Sequence, residues 1–180
     1  MKTIFLFLSL FISHFASGQT SDSVYSSNIL QRIFVRDKFE LPATDGWDII
    51  MYSPDVFSYV SPDFRKEKMD LPSKMTGPTD LQVYSMIDGQ DWNHQKYFSS
   101  LDSNLDRLCL TQHQIIEVCR RYRGLFSEDV ATFMLFKSRR HYYVAGIMLV
   151  PSGFWIYADP LESEQVFNGS FNRLLVVPAP

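Results

Sequence analysis

Residues 108–126 read LCLTQHQIIEVCRRYRGLF, and the local signals in this stretch agree with one another. Thr111 is an N-cap residue type, and Gln114 three positions later completes a T-x-x-Q capping box. Leu110 before the cap and Ile115 at the fourth helical position supply the matching hydrophobic staple. At helical periodicity Ile115, Val118, Cys119 and Tyr122 fall on one face, with His113, Glu117 and Arg120 opposite. Gly124 offers the left-handed conformation that ends many helices. The pattern predicts a helix from about Gln112 to Arg123.

The same stretch ends in three arginines within four positions, Arg120, Arg121 and Arg123. Cations in a last turn offset the negative end of the helix dipole, and Glu117 stands at i, i+4 from Arg121 and i, i+3 from Arg120. These arginines are therefore expected to serve the helix end.

Downstream, ATFMLFK (residues 131–137) and YYVAGIMLV (142–150) are rich in β-branched and aromatic residues and flank the polar tetrapeptide SRRH. They read as a hairpin with its tip at 138–141. PSG (151–153) turns the chain into FWIYA, Asp159-Pro160 stops it, and a last strand is expected near Arg173 to Val177. The fold class predicted is α+β: one well-capped helix packed on an antiparallel β-meander, behind a loop-rich N-terminal half with short strands and a short helix. A helix of about 18 Å packed antiparallel to a strand of about 23 Å places the tip with Arg139 and Arg140 near the helix start. The two basic clusters then lie at opposite ends, and nucleic-acid binding is not expected.

In the N-terminal half, Pro42, Pro54, Pro62, Pro72 and Pro78 exclude a long helix or a central strand between residues 41 and 80. WDIIMY (47–52) and LQVYSMI (81–87) read as short strands. SNILQRIFVRD (27–37) places Ile29, Leu30, Ile33 and Phe34 at helical spacing, which predicts a short helix.

The first residues, MKTIFLFLSLFISHFASGQT, follow the order of a secretory signal peptide: one Lys, an apolar run, then Ala16, Ser17 and Gly18. Ser9, Ser13 and His14 break the run well before the about 20 apolar residues of a membrane span. The domain reading is a signal peptide at 1–18, an N-terminal segment at 19–40 and a single domain at 41–180. The mature protein is expected to be exported, periplasmic or extracellular, without stable membrane insertion. Removing residues 1–18 takes away one Lys and no acid, which leaves 16 basic against 20 acidic side chains, a formal charge of −4. A global attraction to nucleic acid or anionic lipid is therefore not expected.

No catalytic set assembles along the chain. Cys109 and Cys119 are separated by most of three helical turns, beyond disulfide reach, and Cys119 sits on the apolar face. A Cys109–His113 dyad lacks an orienting third group. Asp102, Asn104 and Asp106 begin like an EF-hand loop, but Arg107 stands where its glycine belongs and His113 where its glutamate belongs, so they read as turn and capping residues. The histidine and cysteine spacings match no zinc site. The sequence carries no G-x-S-x-G, no Walker loop and no G-x-G-x-x-G, so neither a cofactor nor a metal is expected. Asn168 begins an N-G-S glycosylation sequon. One compact polar-aromatic group remains, Asp88, Asp91 and His94 in DGQDWNHQ. The expected function is a non-catalytic binding or interaction module with a protein or small-molecule partner. The alternative is a hydrolase-like enzyme that uses Asp88, Asp91 and His94.

Overall fold

Among the described residues, hydrogen bonding produces one mixed nine-stranded sheet rather than a helix on a meander. The computed structural model describes residues 26–27, 29–87, 93–163 and 172–180; residues 1–18, Asp88, Asp91 and Asn168 lie outside them. The strands are β1 (Ser26–Ser27), β2 (Leu30–Ile33), β3 (Phe39–Leu41), β4 (Phe57–Val60), β5 (Thr79–Met86), β6 (Val130–Ser138), β7 (His141–Val150), β8 (Gly153–Pro160) and β9 (Asn172–Pro178). Their order across the sheet is β1-β2-β5-β9-β6-β7-β8-β4, with β3 also paired to β5. Among the described residues three short helices, α1 (Asp63–Lys66), α2 (His94–Leu101) and α3 (Gln112–Arg121), accompany it. Among the described residues no helix is long and apolar enough to cross a membrane.

The predicted α+β arrangement is corrected on two counts. First, strands dominate, and α3 is one of several pieces that cover the sheet. Second, the meander β6-β7-β8 is antiparallel as expected, but β9 returns to run parallel to β6 and β4 runs parallel to β8. Parallel neighbours need long crossovers and leave no local mark in the sequence.

Both faces of the middle strands are buried. Met134, Phe136, Ala145, Ile147, Ile156 and Val176 pack with Ile115, Ile116 and Val118 of α3 and with Phe64 of α1. Phe133, Leu135, Val144, Leu175 and Val177 pack on the other face with Tyr97 and Phe98 of α2. This explains why β6 reads as a continuous apolar run instead of an alternating one.

The N-terminal expectations divide. LQVYSMI is strand β5 as predicted. The helix expected over SNILQRIFVRD is strand β2: only Leu30 of that strand is fully buried, and the backbone of Phe34 turns left-handed (φ 54°) and ends the extended run. A pairing register with β5 from Leu30 opposite Met86 to Ile33 opposite Val83 outweighs the helical spacing of four apolar residues. WDIIMY is not a strand. Ile50–Tyr52 forms a 3-10 turn with Ile50 buried, and Trp47 is 71% exposed. Gly46 just before it adopts φ +80°, and a Cβ there would stand 2.3 Å from the Ser73 carbonyl oxygen, so this approach of two backbones requires glycine.

The α3 boundaries follow from its capping residues. Gln114 N–H donates to Thr111 Oγ1 at 3.2 Å, and Thr111 N–H donates to Gln114 Oε1 at 2.9 Å, so the capping box is complete. The end differs from the expectation: α3 stops at Arg121, and Gly124 lies in a following 3-10 turn without a positive φ. The reason is Tyr122. Its hydroxyl donates to the Glu40 carbonyl at 2.7 Å and accepts from the Glu40 N–H at 2.8 Å, and its ring meets Phe39 edge-on. That tether to β3 ends the helix where a glycine was expected to end it.

Candidate functional site

Which cations are already engaged decides where a ligand can bind. At the end of α3, Arg120 donates to Asp48 at 3.0 Å, Asp55 at 2.8 Å and Glu117 at 3.2 Å. Hydrogen bonding from Arg120 holds the Asp55 carboxyl below its ordinary pKa. Arg121 meets Glu117 at 2.7 Å, and the Arg123 guanidinium lies 4.9 Å from the centre of the Phe154 ring. All three arginines of the opening stretch are occupied within the fold.

The other basic cluster is different. The β6–β7 hairpin closes with Ser138 opposite His141, so Arg139 and Arg140 form a two-residue turn. Such turns need a positive φ at the first central position and favour Asn, Asp or Gly there; Arg139 occupies it at φ 57°. Across a cleft stands the end of α1. Lys68 N–H donates to the Arg65 carbonyl at 3.1 Å and Met69 N–H to the Phe64 carbonyl at 2.8 Å, the paired bonds of a Schellman motif. The left-handed residue of that motif is usually Gly, and here it is Lys68 at φ 54°.

The cleft between them has a volume of about 580 Å³, and its lining includes Lys66, Lys68, Arg139, Arg140 and His141 against Glu67 and Glu162. Lys66 is paired with Asp63 at 3.1 Å. Among the described residues Lys68, Arg139 and Arg140 have no carboxylate partner in ion-pair range. A cleft of about 470 Å³ beside β5 and α2 holds Arg32 and Arg107, of which Arg107 is paired with Asp102 at 3.2 Å.

The candidate residues from the sequence are not all visible as a group. Asp88 and Asp91 lie outside the described residues. His94, the first residue of α2, is 5% exposed, and its ring lies 4.9 Å from that of Phe133. Burial pushes its pKa down to about 4, and the charge of Arg173 acts in the same direction. The N-cap of α2, Asn93, accepts from Gln95 N–H at 2.8 Å.

The remaining motifs serve local structure. Asp102 and Asn104 accept backbone N–H groups two residues onward at 2.8 and 3.2 Å. Both cysteines are free. Cys109 donates to the Leu105 carbonyl at 3.3 Å, and burial pushes its thiol up to about 12 with help from Asp106. His113 lies instead between Asp45 at 3.2 Å and Asp48 at 3.6 Å. In the sequence the SRRH turn reads as a hairpin tip with a basic cluster but not as a binding site. The signal missed there was two arginines where a tight turn favours Asn-Gly.

No family model, no curated protein and no solved structure matches this chain.

Proposed function

We propose that this chain is a non-catalytic, exported binding module, and that its ligand site is the basic cleft between α1 and the β6–β7 turn, where it takes an anion. The observation that carries this reading is the set Lys68, Arg139 and Arg140, unpaired among the described residues around one cleft of about 580 Å³, in a chain whose net charge is negative. The volume falls within the range of about 300 to 1,000 Å³ for small-ligand sites. Support also comes from the backbone: a left-handed non-glycine residue costs roughly 1 to 2 kcal/mol, and two basic residues bear that cost on facing walls. Strain retained at one place is a pointer to function.

Titration with inorganic sulfate, followed by NMR chemical shifts, checks the reading. Shifts are expected to concentrate at Lys68, Arg139, Arg140 and His141, with Arg121 silent. Arg139→Gly is expected to weaken sulfate binding about fivefold while stability is kept or raised, because glycine relieves the left-handed strain. Shifts spread evenly over exposed lysines and arginines, or an Arg139→Gly variant that binds sulfate as tightly as the wild type, would overturn it. Export rests on the leader pattern of residues 1–18. An intact mass for the exported protein that begins at Gln19 is the expected result, and retention of Met1 to Gly18 in a membrane fraction contradicts it.

A further inference from the structure

We infer that the occupant is a linear acidic polysaccharide, which leaves the first cleft over Ser138 and Arg139 and continues into a second. This rests on the anion-binding reading above and extends it to a ligand class.

The second cleft, about 520 Å³, lies between the start of α3 and residues 71–74, and it shares Ser138 and Arg139 with the first. Its one acid, Asp106, is neutralised: Lys137 meets it at 2.7 Å, and the Tyr142 hydroxyl donates to it at 3.0 Å. Lys74 in the lining is exposed and, among the described residues, has no ion-pair partner. Unpaired cations therefore run through both clefts, with Lys68 and Arg140 in one, Arg139 at the shared wall and Lys74 in the other. A compact anion fills one cleft and leaves Lys74 unused, whereas a chain with repeated negative charges meets all four.

The polar groups between these cations suit a hydroxyl-rich chain. Thr111 Oγ1 and Ser73 Oγ already accept the backbone N–H groups of Gln114 and Gln112, at 3.2 and 3.4 Å. Each hydroxyl keeps its own proton to donate. Single-stranded nucleic acid fits less well, because it binds on free aromatic faces. Here Lys137 lies 4.8 Å from the centre of the Tyr142 ring, and Tyr143 is buried and stacked on Phe136 at 5.7 Å.

The test compares a sulfated disaccharide with a sulfated octasaccharide of the same repeat, on the wild-type protein and on Lys74→Ala. The octasaccharide is expected to bind more tightly than the disaccharide. Lys74→Ala should weaken only the octasaccharide, by about fivefold for one exposed ion pair, and flatten its log–log salt dependence by about one unit. Its sulfate shifts at Arg139 and Arg140 should match the wild type, which also shows that the variant is folded. Affinity independent of length, or an octasaccharide indifferent to Lys74→Ala, overturns this inference and leaves the single-cleft reading standing. Single-stranded DNA of equal charge that binds as tightly overturns the polysaccharide assignment. Failure of sulfate itself to bind brings down the parent reading as well.

Discussion

Phe136→Ala is expected to lower the free energy of unfolding by about 3 to 5 kcal/mol, measured by chemical denaturation. Phe136 is 1% exposed in β6. Its ring lies nearly parallel to that of Phe64 from α1, 6.0 Å away at 8°, and stacks on Tyr143 of β7 at 5.7 Å. Its backbone also forms the bridge to Leu110 that sets the start of α3 against the sheet. Truncation removes the contact beneath α1 and leaves a void that a strand paired on both sides cannot close. Because α1 carries the Lys66 to Lys68 wall of the cleft, sulfate binding should weaken in the same variant. A loss below about 1 kcal/mol would mean that Phe64 does not seat α1 in this way.

Ile115→Ala is expected to cost about 2 to 5 kcal/mol, since Ile115 is wholly buried between α3 and the sheet. Two milder variants of the same helix give the comparison. Thr111→Ala removes one half of the capping box and should cost about 1 kcal/mol. Arg121→Ala removes an exposed pair with Glu117 and should cost a few tenths to about 1 kcal/mol, less in high salt. The expected order is Ile115, then Thr111, then Arg121. An Arg121→Ala variant of unchanged stability that loses a partner would place the binding site at the helix end instead.

What the sequence disclosed about the fold was what neighbours along the chain decide. The Thr111 cap depends on Gln114 three residues away, and the β6–β7 hairpin on a turn of two residues, so both were readable. The start of β2 was not, because Ile29, Leu30, Ile33 and Phe34 satisfy a helical spacing over too short a window to outweigh pairing with β5, some fifty residues on in the chain. The stop at Tyr122 was hidden for the same reason, since its partner Glu40 is 82 residues away. The strand order depends on β9 and β4, whose parallel neighbours are recruited from distant sequence.

The candidate site was half legible. Arg139 and Arg140 could be placed at the hairpin tip, and their separation from Arg120 to Arg123 followed from helix and strand lengths. The shared lining of Ser138, Arg139 and Thr111 agrees with a tip near the start of α3. What could not be read was the opposing wall. Lys68 reaches the cleft only through a four-residue helix in the proline-rich segment, whose Schellman end lacks the glycine that normally signals it. Nor does any local pattern tell that Asp48 and Asp55 join Glu117 on Arg120 while, among the described residues, Lys68, Arg139 and Arg140 go without carboxylates. Pairing of charges across the chain is a property of the folded surface.

The position of β9 has a consequence in time. Strands β1, β2, β3 and β5 come from residues 26–86 and strands β6, β7 and β8 from residues 130–160, and β9 is the strand that hydrogen-bonds to both sets. As the chain emerges from a ribosome or a translocation pore, each half presents an open strand edge, β5 on one and β6 on the other, until residues 172–178 arrive to fill the gap. Exposed edges recruit foreign strands, and long-range closure is slow. The interval before the last strand docks is therefore when this protein is most open to wrong association, and the arrival of the seven-residue β9 governs when that interval ends.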